Sequence, residues 1–187
     1  MNYSPFKTLF LALQERILQE VEEIRYIDQD LGQLSEDRPP LSLPAVLIDF
    51  SDFDFEDLAE NKQIGEGAVV VKLVFDVYSN SNNLTPEEWK NKALSFYDTE
   101  WSIFKALQGW KPHDPSWSYG YMMRTNVVTE GSYPGLRVRN LQFSISFEDD
   151  KAVTHYDSTT LPPPVIDSEL PNLNNTNHQN PFRVVTS

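Results

Sequence analysis

The sequence predicts an α+β fold, with a mainly antiparallel or mixed sheet of four to five strands and two long helices packed on one face. Two segments repeat apolar residues at three- and four-residue steps, as amphipathic helices do. Several others alternate apolar and polar residues, as half-buried strands do. The order helix, strands, helix, strands suits helices on one side of a sheet. We assign residues 1–156 to a single domain and residues 157–187, rich in Pro and Asn, to an extended C-terminal tail.

The first helix is predicted over residues 5–25. Ser4 stands where an N-cap is expected, and Pro5 follows it at the first helical position, where proline is favoured. The apolar residues of this segment fall on one stripe, which predicts a helix that faces the core. They are Phe6, Leu9, Phe10, Leu13, Ile17, Val21 and Ile24.

Two or three strands are predicted to follow the first helix. A short strand is expected at residues 26–31, followed by a loop that contains Pro39, Pro40 and Pro44. The run "PAVLIDF" then predicts a buried strand that continues to about residue 55, since proline is tolerated at the start of a strand. The next strand, within residues 65–79, has the clearest period of two. Its predicted faces are Val69, Val71, Leu73, Phe75 and Val77 on one side and Lys72, Asp76 and Tyr78 on the other.

The second helix has a strong predicted start at "LTPEEW". Thr85 is expected to cap it, Pro86 to take the first helical position, and Glu88 to complete a capping box. Leu84 and Trp89 are expected to form a hydrophobic staple. Gly109 is a natural terminator. The predicted buried stripe consists of Trp89, Ala93, Phe96, Tyr97, Phe104 and Leu107.

The last two strands, residues 118–129 and 136–147, are predicted to form a hairpin through the turn "EGSYPG". Val138 and Leu136 have the opposite parity from the later apolar residues of their strand. A bulge near Asn140 is therefore predicted to reconcile the two registers. The later residues are Leu141, Phe143, Ile145 and Phe147.

Charge and composition exclude several classes of function. The net charge of the 187 residues is −13, and residues 20–60, with 13 acids and two arginines, carry −11 of it. Proteins that bind duplex DNA by attraction need a basic patch, which this chain lacks. The absence of cysteine excludes disulfides, zinc–thiolate sites and thiol nucleophiles. No apolar run reaches the ~20 residues of a membrane helix, and the amphipathic N-terminus does not predict a signal peptide. We therefore expect no membrane partner and a cytoplasmic setting in the cell that makes the protein.

The acidic run after "PAVLI" is the first candidate site. Read from Asp52 as an EF-hand loop, it has Asp57 where glycine is required and Gln63 where the closing glutamate is required, so the calcium motif fails. Alternation gives the simpler prediction that Phe53 and Phe55 face the core while the acids face water. Such a surface could meet a basic partner or line a passage to which DNA must not stick. The candidate residues for this acidic lumen or partner face are Asp49, Asp52, Asp54, Glu56 and Asp57.

No catalytic residue, metal site or cofactor is predicted. His113, His155 and His178 have no partners at zinc-ligand spacing. The chain contains no G-x-S-x-G, P-loop or G-x-G-x-x-G motif. Acids are plentiful, but nothing in the sequence selects one pair for acid–base chemistry.

A loop dense in large aromatic residues follows the second helix. Its rings could pack over the sheet, or they could form a partner surface, since Trp and Tyr dominate interface hot spots. The apolar cluster "PFRVV" in the tail also suggests a segment that docks. The candidate protein–protein contacts are Trp110, Trp117, Tyr119, Tyr121 and Phe182.

The order of elements, the loop rich in Asp and Pro before "LPAVLIDF", and the long helix after "VVVKLVFDVYS" resemble one known family. Over about residues 5–148 the chain is similar to the tail terminator (tail completion) proteins of long-tailed bacteriophages, the minor tail protein U family. The resemblance implies a virion protein, assembled in the host cytoplasm, that is not an enzyme. It implies a homo-oligomeric ring, commonly a hexamer, at the head-proximal end of the tail tube. Such a ring ends tube polymerisation, contacts the tail-tube protein and a head completion or connector protein, and lets DNA pass without specific binding.

Three other interpretations stay open at the level of sequence. The chain could be a different head–tail connector or tail-tube adaptor. It could be a cation-dependent enzyme with a carboxylate site at residues 49–57. It could also be a small acidic binding module that uses the aromatic loop. Within the first interpretation, the charge asymmetry motivates the hypothesis that residues 49–60 face the lumen of the ring.

Overall fold

The structure, a computed structural model, is a mixed sheet with two helices against it. It describes residues 3–36, 39–59, 61–77, 81–131 and 133–152. In chain order the elements are α1 (Pro5–Glu20), β1 (Tyr26–Gln29), a short 3-10 helix (Gln33–Ser35), β2 (Ala45–Ala59), β3 (Lys62–Asp76), α2 (Glu87–Leu107), β4 (Ser118–Tyr119), β5 (Met123–Glu130) and β6 (Leu136–Asp149).

The sheet is built around three long antiparallel strands in the order β2, β3, β6. The short β1 pairs with β2 in parallel, and both β4 and β5 pair antiparallel with β6. The described part of the chain thus has six strands, because the single strand predicted at residues 118–129 is divided. Met122 leaves the ladder and exchanges backbone hydrogen bonds with Gly109 and Trp110 instead, at 2.8 and 2.9 Å. The predicted α+β class, mixed sheet and hairpin are confirmed.

One face of the sheet carries both helices, as predicted. Leu9, Leu13 and Ile17 of α1 and Ile103 and Leu107 of α2 are fully buried there. They pack on the predicted apolar face of β3 and on the odd-numbered residues of β6. Ser4 caps α1 as expected, since its Oγ accepts a hydrogen bond from the Lys7 N–H at 3.3 Å. The helix ends at Glu20, earlier than predicted, although Val21 and Ile24 beyond it are still buried.

The opposite face has a second, smaller core. Leu34 and the strand residues Leu47, Val74 and Val138 are buried there under the loop that precedes β2. This cluster explains the parity of Val138, because at this end the face of β6 that turns away from the helices is covered. The predicted bulge near Asn140 is wrong: the β3–β6 register runs without a break from Gln63↔Asp149 to Asp76↔Leu136. The irregularity lies in β5 instead, between Arg124 and Asn126.

The start and the buried stripe of α2 differ from the prediction. Pro86 is the N-cap, no side chain caps the helix, and Thr85 makes no capping box. Leu84 and Trp89 are exposed, so no buried staple forms, and Tyr97 is also exposed. The small residues Ala93 and Ala106 lie on the buried side and let α2 approach the rest of the core closely. The buried residues of α2 are Ala93, Thr99, Ile103, Ala106 and Leu107.

Two predicted strands end at different residues from those expected, and some predicted features lie outside the described residues. β2 continues to Ala59, past the predicted end near residue 55. Val77 follows the last residue of β3 and is exposed, whereas Tyr78 lies outside the described residues. Phe182 and the predicted tail, residues 157–187, also lie outside them, so the domain boundary stays a prediction. Among the described residues, no helix has the length and apolar content to cross a membrane.

The α1–sheet interface gives a stability prediction. Leu13→Ala is expected to lower the free energy of unfolding by about 3 kcal/mol, since it removes a buried side chain and leaves a cavity. Leu84→Ala, the same change at a residue that is 87% exposed, is expected to alter it by less than about 0.5 kcal/mol. Denaturant unfolding of both variants measures the difference. Equal effects of the two substitutions would contradict this packing of α1.

Candidate functional site

The face of the sheet that turns away from both helices is the candidate site. We call its uncovered part, beyond the second core, the open face. The alternation of strand residues assigns its side chains, since Val69 and Val71 of β3 are buried under the helices on the other side. Polar and small residues dominate it. They are Asp49, Ser51, Asp54 and Glu56 of β2, Glu66, Ala68 and Val70 of β3, and Gln142, Ser144 and Ser146 of β6.

A bulge in β2 places Asp54 and Glu56 on the open face, whereas Asp57, opposite Gln63, has the parity of the helix side and is not part of the predicted acidic face. The register shifts between Ser51 and Asp54, and Asp52 takes a left-handed backbone conformation with φ 54°. Aspartate tolerates this region better than most residues. The extra residue changes the parity of the strand. As a result, Phe50 and Phe53 both reach the helix side, whereas Asp54 stays on the open face.

The predicted inward direction of the aromatic residues is confirmed for Phe53. Its ring packs edge-on against Phe6 of α1, with centroids 4.9 Å apart. A Cβ at Gly67, on the neighbouring strand, would collide with the Phe53 ring, so this position requires glycine. The ring centroids of Phe55 and Phe147 lie 6.0 Å apart, but Phe55 is 47% exposed. The prediction that Phe55 is a core residue is therefore wrong.

The acids of β2 form a row and do not converge on one point. Asp49 accepts a hydrogen bond from the Phe50 N–H, and Asp57 accepts one from Gln63 at 2.8 Å. Within the described ranges, no group of three His, Cys, Asp or Glu side chains could hold a metal ion. Asp54 lies directly opposite Glu66 in the ladder. Like charges in this position destabilise a sheet, so the row opposes folding locally.

A charged network built around Lys72 borders the open face. The Lys72 Nζ lies 2.6 Å from the Asp30 Oδ2 and 3.3 Å from the Glu130 Oε2. Glu130 also accepts hydrogen bonds from Asn140 and Tyr133, both at 2.9 Å. The sequence placed Lys72 on the polar side of its strand, but its partners come from distant segments. Sequence reasoning missed this network, because no local spacing signals it.

The network shifts the pKa values of its members in opposite directions. Burial alone lowers the pKa of Lys72, but the hydrogen bond and the charge of Asp30, with those of Glu130, raise it above the usual lysine value. Burial alone raises the pKa of Glu130, but hydrogen bonds from Asn140 and Tyr133 and the charge of Lys72 lower it below the usual value. Lys62, the other lysine of β3, pairs with Glu148 at 2.7 Å. Both lysines of β3 are therefore neutralised locally, and the acids of β2 keep the open face negative.

The aromatic loop after α2 serves mainly to pack the chain. Trp117 and Tyr119 are buried; the Trp117 indole donates to the Tyr3 carbonyl at 2.9 Å, and the Tyr119 hydroxyl donates to the Pro5 carbonyl at 2.7 Å. Trp110 is half-buried, and Arg16 lies 6.0 Å from its ring. Tyr121 is 63% exposed and remains a candidate contact. The packing interpretation thus describes Trp117 and Tyr119, which hold the N-terminus of α1 against the sheet.

Comparison with known proteins shows the fold. No protein-family model matches the chain, and no curated protein sequence matches it. A search of solved structures finds similarity to a chain from the virion of a native gene transfer agent particle. The two chains are 14% identical and superpose with a TM-score of 0.50, over 79% of this chain and 100% of the other. At this identity the likeness establishes a shared α+β fold.

The Lys72 network gives a prediction that depends on pH. Lys72→Met is expected to lower the free energy of unfolding by about 3 kcal/mol at pH 7, because it leaves two carboxylates without their counter-charge. The folded pKa of Glu130 is depressed, so its stabilising contribution exists above the unfolded pKa and is lost as pH falls through the folded value. The difference between wild type and variant is therefore expected to shrink below about pH 4. Unfolding curves at pH 7 and below about pH 4 measure this difference in the free energy of unfolding. Lys111→Met, at an exposed lysine, is the control. A difference that does not change with pH would refute the network.

Proposed function

We propose that this protein is a structural component of a bacteriophage virion. The observation that carries the proposal is the likeness of its fold to the whole length of a virion chain from a gene transfer agent particle. Within that class, we propose a tail terminator: a ring, expected to be a hexamer, at the head-proximal end of the tail tube. The order of elements that resembles the terminator family is the order in the structure. The protein would act by assembly and not by catalysis.

The two edges of the sheet suit a ring. On one side, β1 pairs only with Ala45–Ile48, so the outer half of β2 has no further strand partner among the described residues. On the other side, β5 pairs with β6 alone. The two edges differ in length, sequence and charge. A cyclic ring uses two different patches on each subunit, and this chain offers two different edges.

The open face fits the lining of a passage for DNA. Its acids stand in a row along β2, and the lysines of β3 are already paired. A negative surface repels the phosphate backbone, so DNA would slide past it without sticking. The unfavourable pairing of Asp54 with Glu66 supports a role for the charge outside folding. Termination would then be geometric: one face of the ring complements the last ring of the tube, and the other does not reproduce the tube's growing surface.

The terminator role predicts arrest of tube growth. Purified protein added to polymerising tail-tube protein is expected to shorten the tubes, and the shortening is expected to saturate at one ring per tube end. Electron microscopy measures tube length, and native mass spectrometry measures the ring. A different head–tail adaptor would bind the tube without shortening it. Unchanged tubes with bound protein would therefore replace the terminator proposal with that alternative.

The lumen assignment predicts a separation of assembly from DNA retention. The triple variant Asp49→Asn, Asp54→Asn, Glu56→Gln is expected to assemble as wild type does, because these side chains would face the passage and not a neighbouring subunit. It is also expected to retain DNA more strongly, by several-fold in a filter-binding assay at low salt. The control Glu36→Gln, Glu87→Gln, Glu88→Gln removes three charges elsewhere. Loss of the ring in the first variant alone would move the acids to a subunit interface.

A further inference from the structure

Each helix leaves an apolar flank exposed on its outer side. On α1, Leu11 and Leu18 are 45% and 52% exposed. On α2, Leu94, Tyr97 and Trp101 follow one another at three- and four-residue steps, and Tyr97 and Trp101 are 47% and 54% exposed. Residues at these spacings share one side of a helix. We call these two surfaces the α1 flank and the α2 flank.

The two flanks face away from each other. The Arg16 guanidinium donates to the Ala106 carbonyl at 3.0 Å, which identifies the sides on which α1 and α2 meet. Leu18 lies about 160° around α1 from Arg16, and Trp101 lies about 140° around α2 from Ala106, at 100° per residue. Each flank therefore points away from the partner helix of its own chain.

The flanks also lie toward opposite edges of the sheet. Gln14 of α1 donates to the Ile27 carbonyl of β1 at 3.2 Å, which places the C-terminal half of α1, with Leu18, near the β1–β2 edge. Glu100 of α2 pairs with Arg139 of β6, and Gln108 accepts a hydrogen bond from the Arg124 N–H of β5. α2 therefore lies near the β5 edge. An exposed apolar stripe at each end of one helical layer is the arrangement that head-to-tail assembly requires.

Acids follow the α1 flank at the C-terminal end of its helix, and cations border the α2 flank. On the α1 flank, Glu15 follows Leu11 by four residues and Lys7 precedes it by four. Glu22 and Glu23 are exposed in the turn directly after the C-terminal end of α1. Around the α2 flank, the cations are Lys90, Lys105, Arg124 and Arg137. The acids are Asp76, Glu87, Asp98 and Glu130, the last of which is already paired with Lys72.

Arg137 supplies the most specific feature of the α2 flank. Its guanidinium stacks 4.1 Å from the Phe96 ring and donates to the Tyr97 hydroxyl at 3.3 Å. It forms no ion pair within the described ranges, and its buried Nε has no hydrogen-bond partner there. It lines a cavity of about 310 Å³ with Tyr97 and Leu94, and the carboxylates of Asp76 and Glu130 line the same cavity. Arg, Tyr and Trp in a partly desolvated pocket are the residues most often found at interface hot spots.

We propose that the α1 flank of one copy docks on the α2 flank of the next copy and closes the ring. Leucines of α1 would pack on Leu94, Tyr97 and Trp101, and a glutamate beside them would pair with the guanidinium of Arg137. This inference rests on the proposed ring, since it assigns the two patches that join its subunits. It leaves the acids of the open face free to line the passage.

Two single variants test the pairing. Leu18→Glu adds a charge to the α1 flank, and Trp101→Glu adds one to the α2 flank; both replace side chains that are more than half exposed, so folding is expected to be kept. Each variant alone is expected to lose the ring and to appear as a monomer of 21.5 kDa in native mass spectrometry. Leu84→Glu, the same kind of change on an exposed leucine that belongs to neither flank, is expected to keep the ring.

Mixing the two variants gives the decisive result. Each retains one intact flank, so an equimolar mixture is expected to form dimers that cannot grow, because the two remaining flanks both carry glutamate. A mixture that stays monomeric would overturn the proposed contact between the flanks, and so would a ring formed by either variant alone. Neither result would contradict the ring formed by the wild type. If wild type forms no ring, alone or on tail-tube protein, the proposed function fails instead. If a variant does not fold, Leu11→Glu and Tyr97→Glu probe the same flanks.

Discussion

The bulge at Asp52 and Phe53, opposite Gly67, is the constraint on which the rest of the site depends. A β-strand can sort residues between two faces only by parity. One additional residue reverses that parity, so Phe50 and Phe53 both contact Phe6 of α1. Without the extra residue, the strand after Ser51 would direct its aromatic rings to the open face and its acids under the helix. Gly67 on β3 is required by the same arrangement, because only a residue without a side chain leaves room for the Phe53 ring.

The concentration of acids on one surface has a thermodynamic consequence. Asp54 faces Glu66 across the ladder, and the lysines of β3 are bound to Asp30, Glu130 and Glu148. The chain thus holds its repulsive charges on the open face and stabilises the sheet elsewhere, through a core on each side. Because this surface opposes folding locally, stability does not explain it, and we propose that its charge serves the environment that it meets in an assembly.

The periodicity of apolar residues identified the buried side of α1 but not that of α2. α1 has one apolar stripe, and its predicted core residues Leu9, Leu13 and Ile17 are buried. α2 carries large apolar or aromatic residues on two sides, so spacing alone could not decide which side faces the sheet. Packing decided it through the small residues Ala93 and Ala106, and the rings of Tyr97 and Trp101 remained outside. Tyr97, which the predicted stripe placed in the core, instead belongs to the surface that we propose as a subunit contact.

The sequence by itself determined the order and type of the elements and the α+β class, because these follow from local periodicity and turn chemistry. It also determined that the acids lie together, since they are close in the chain. Only the tertiary structure decided that Lys72 meets Asp30 and Glu130, that Val138 is buried on the second face, and that Trp117 and Tyr119 are packing residues. Each of these depends on segments far apart in sequence, and such contacts are selected by the free energy of the whole packed sheet and not by any local preference.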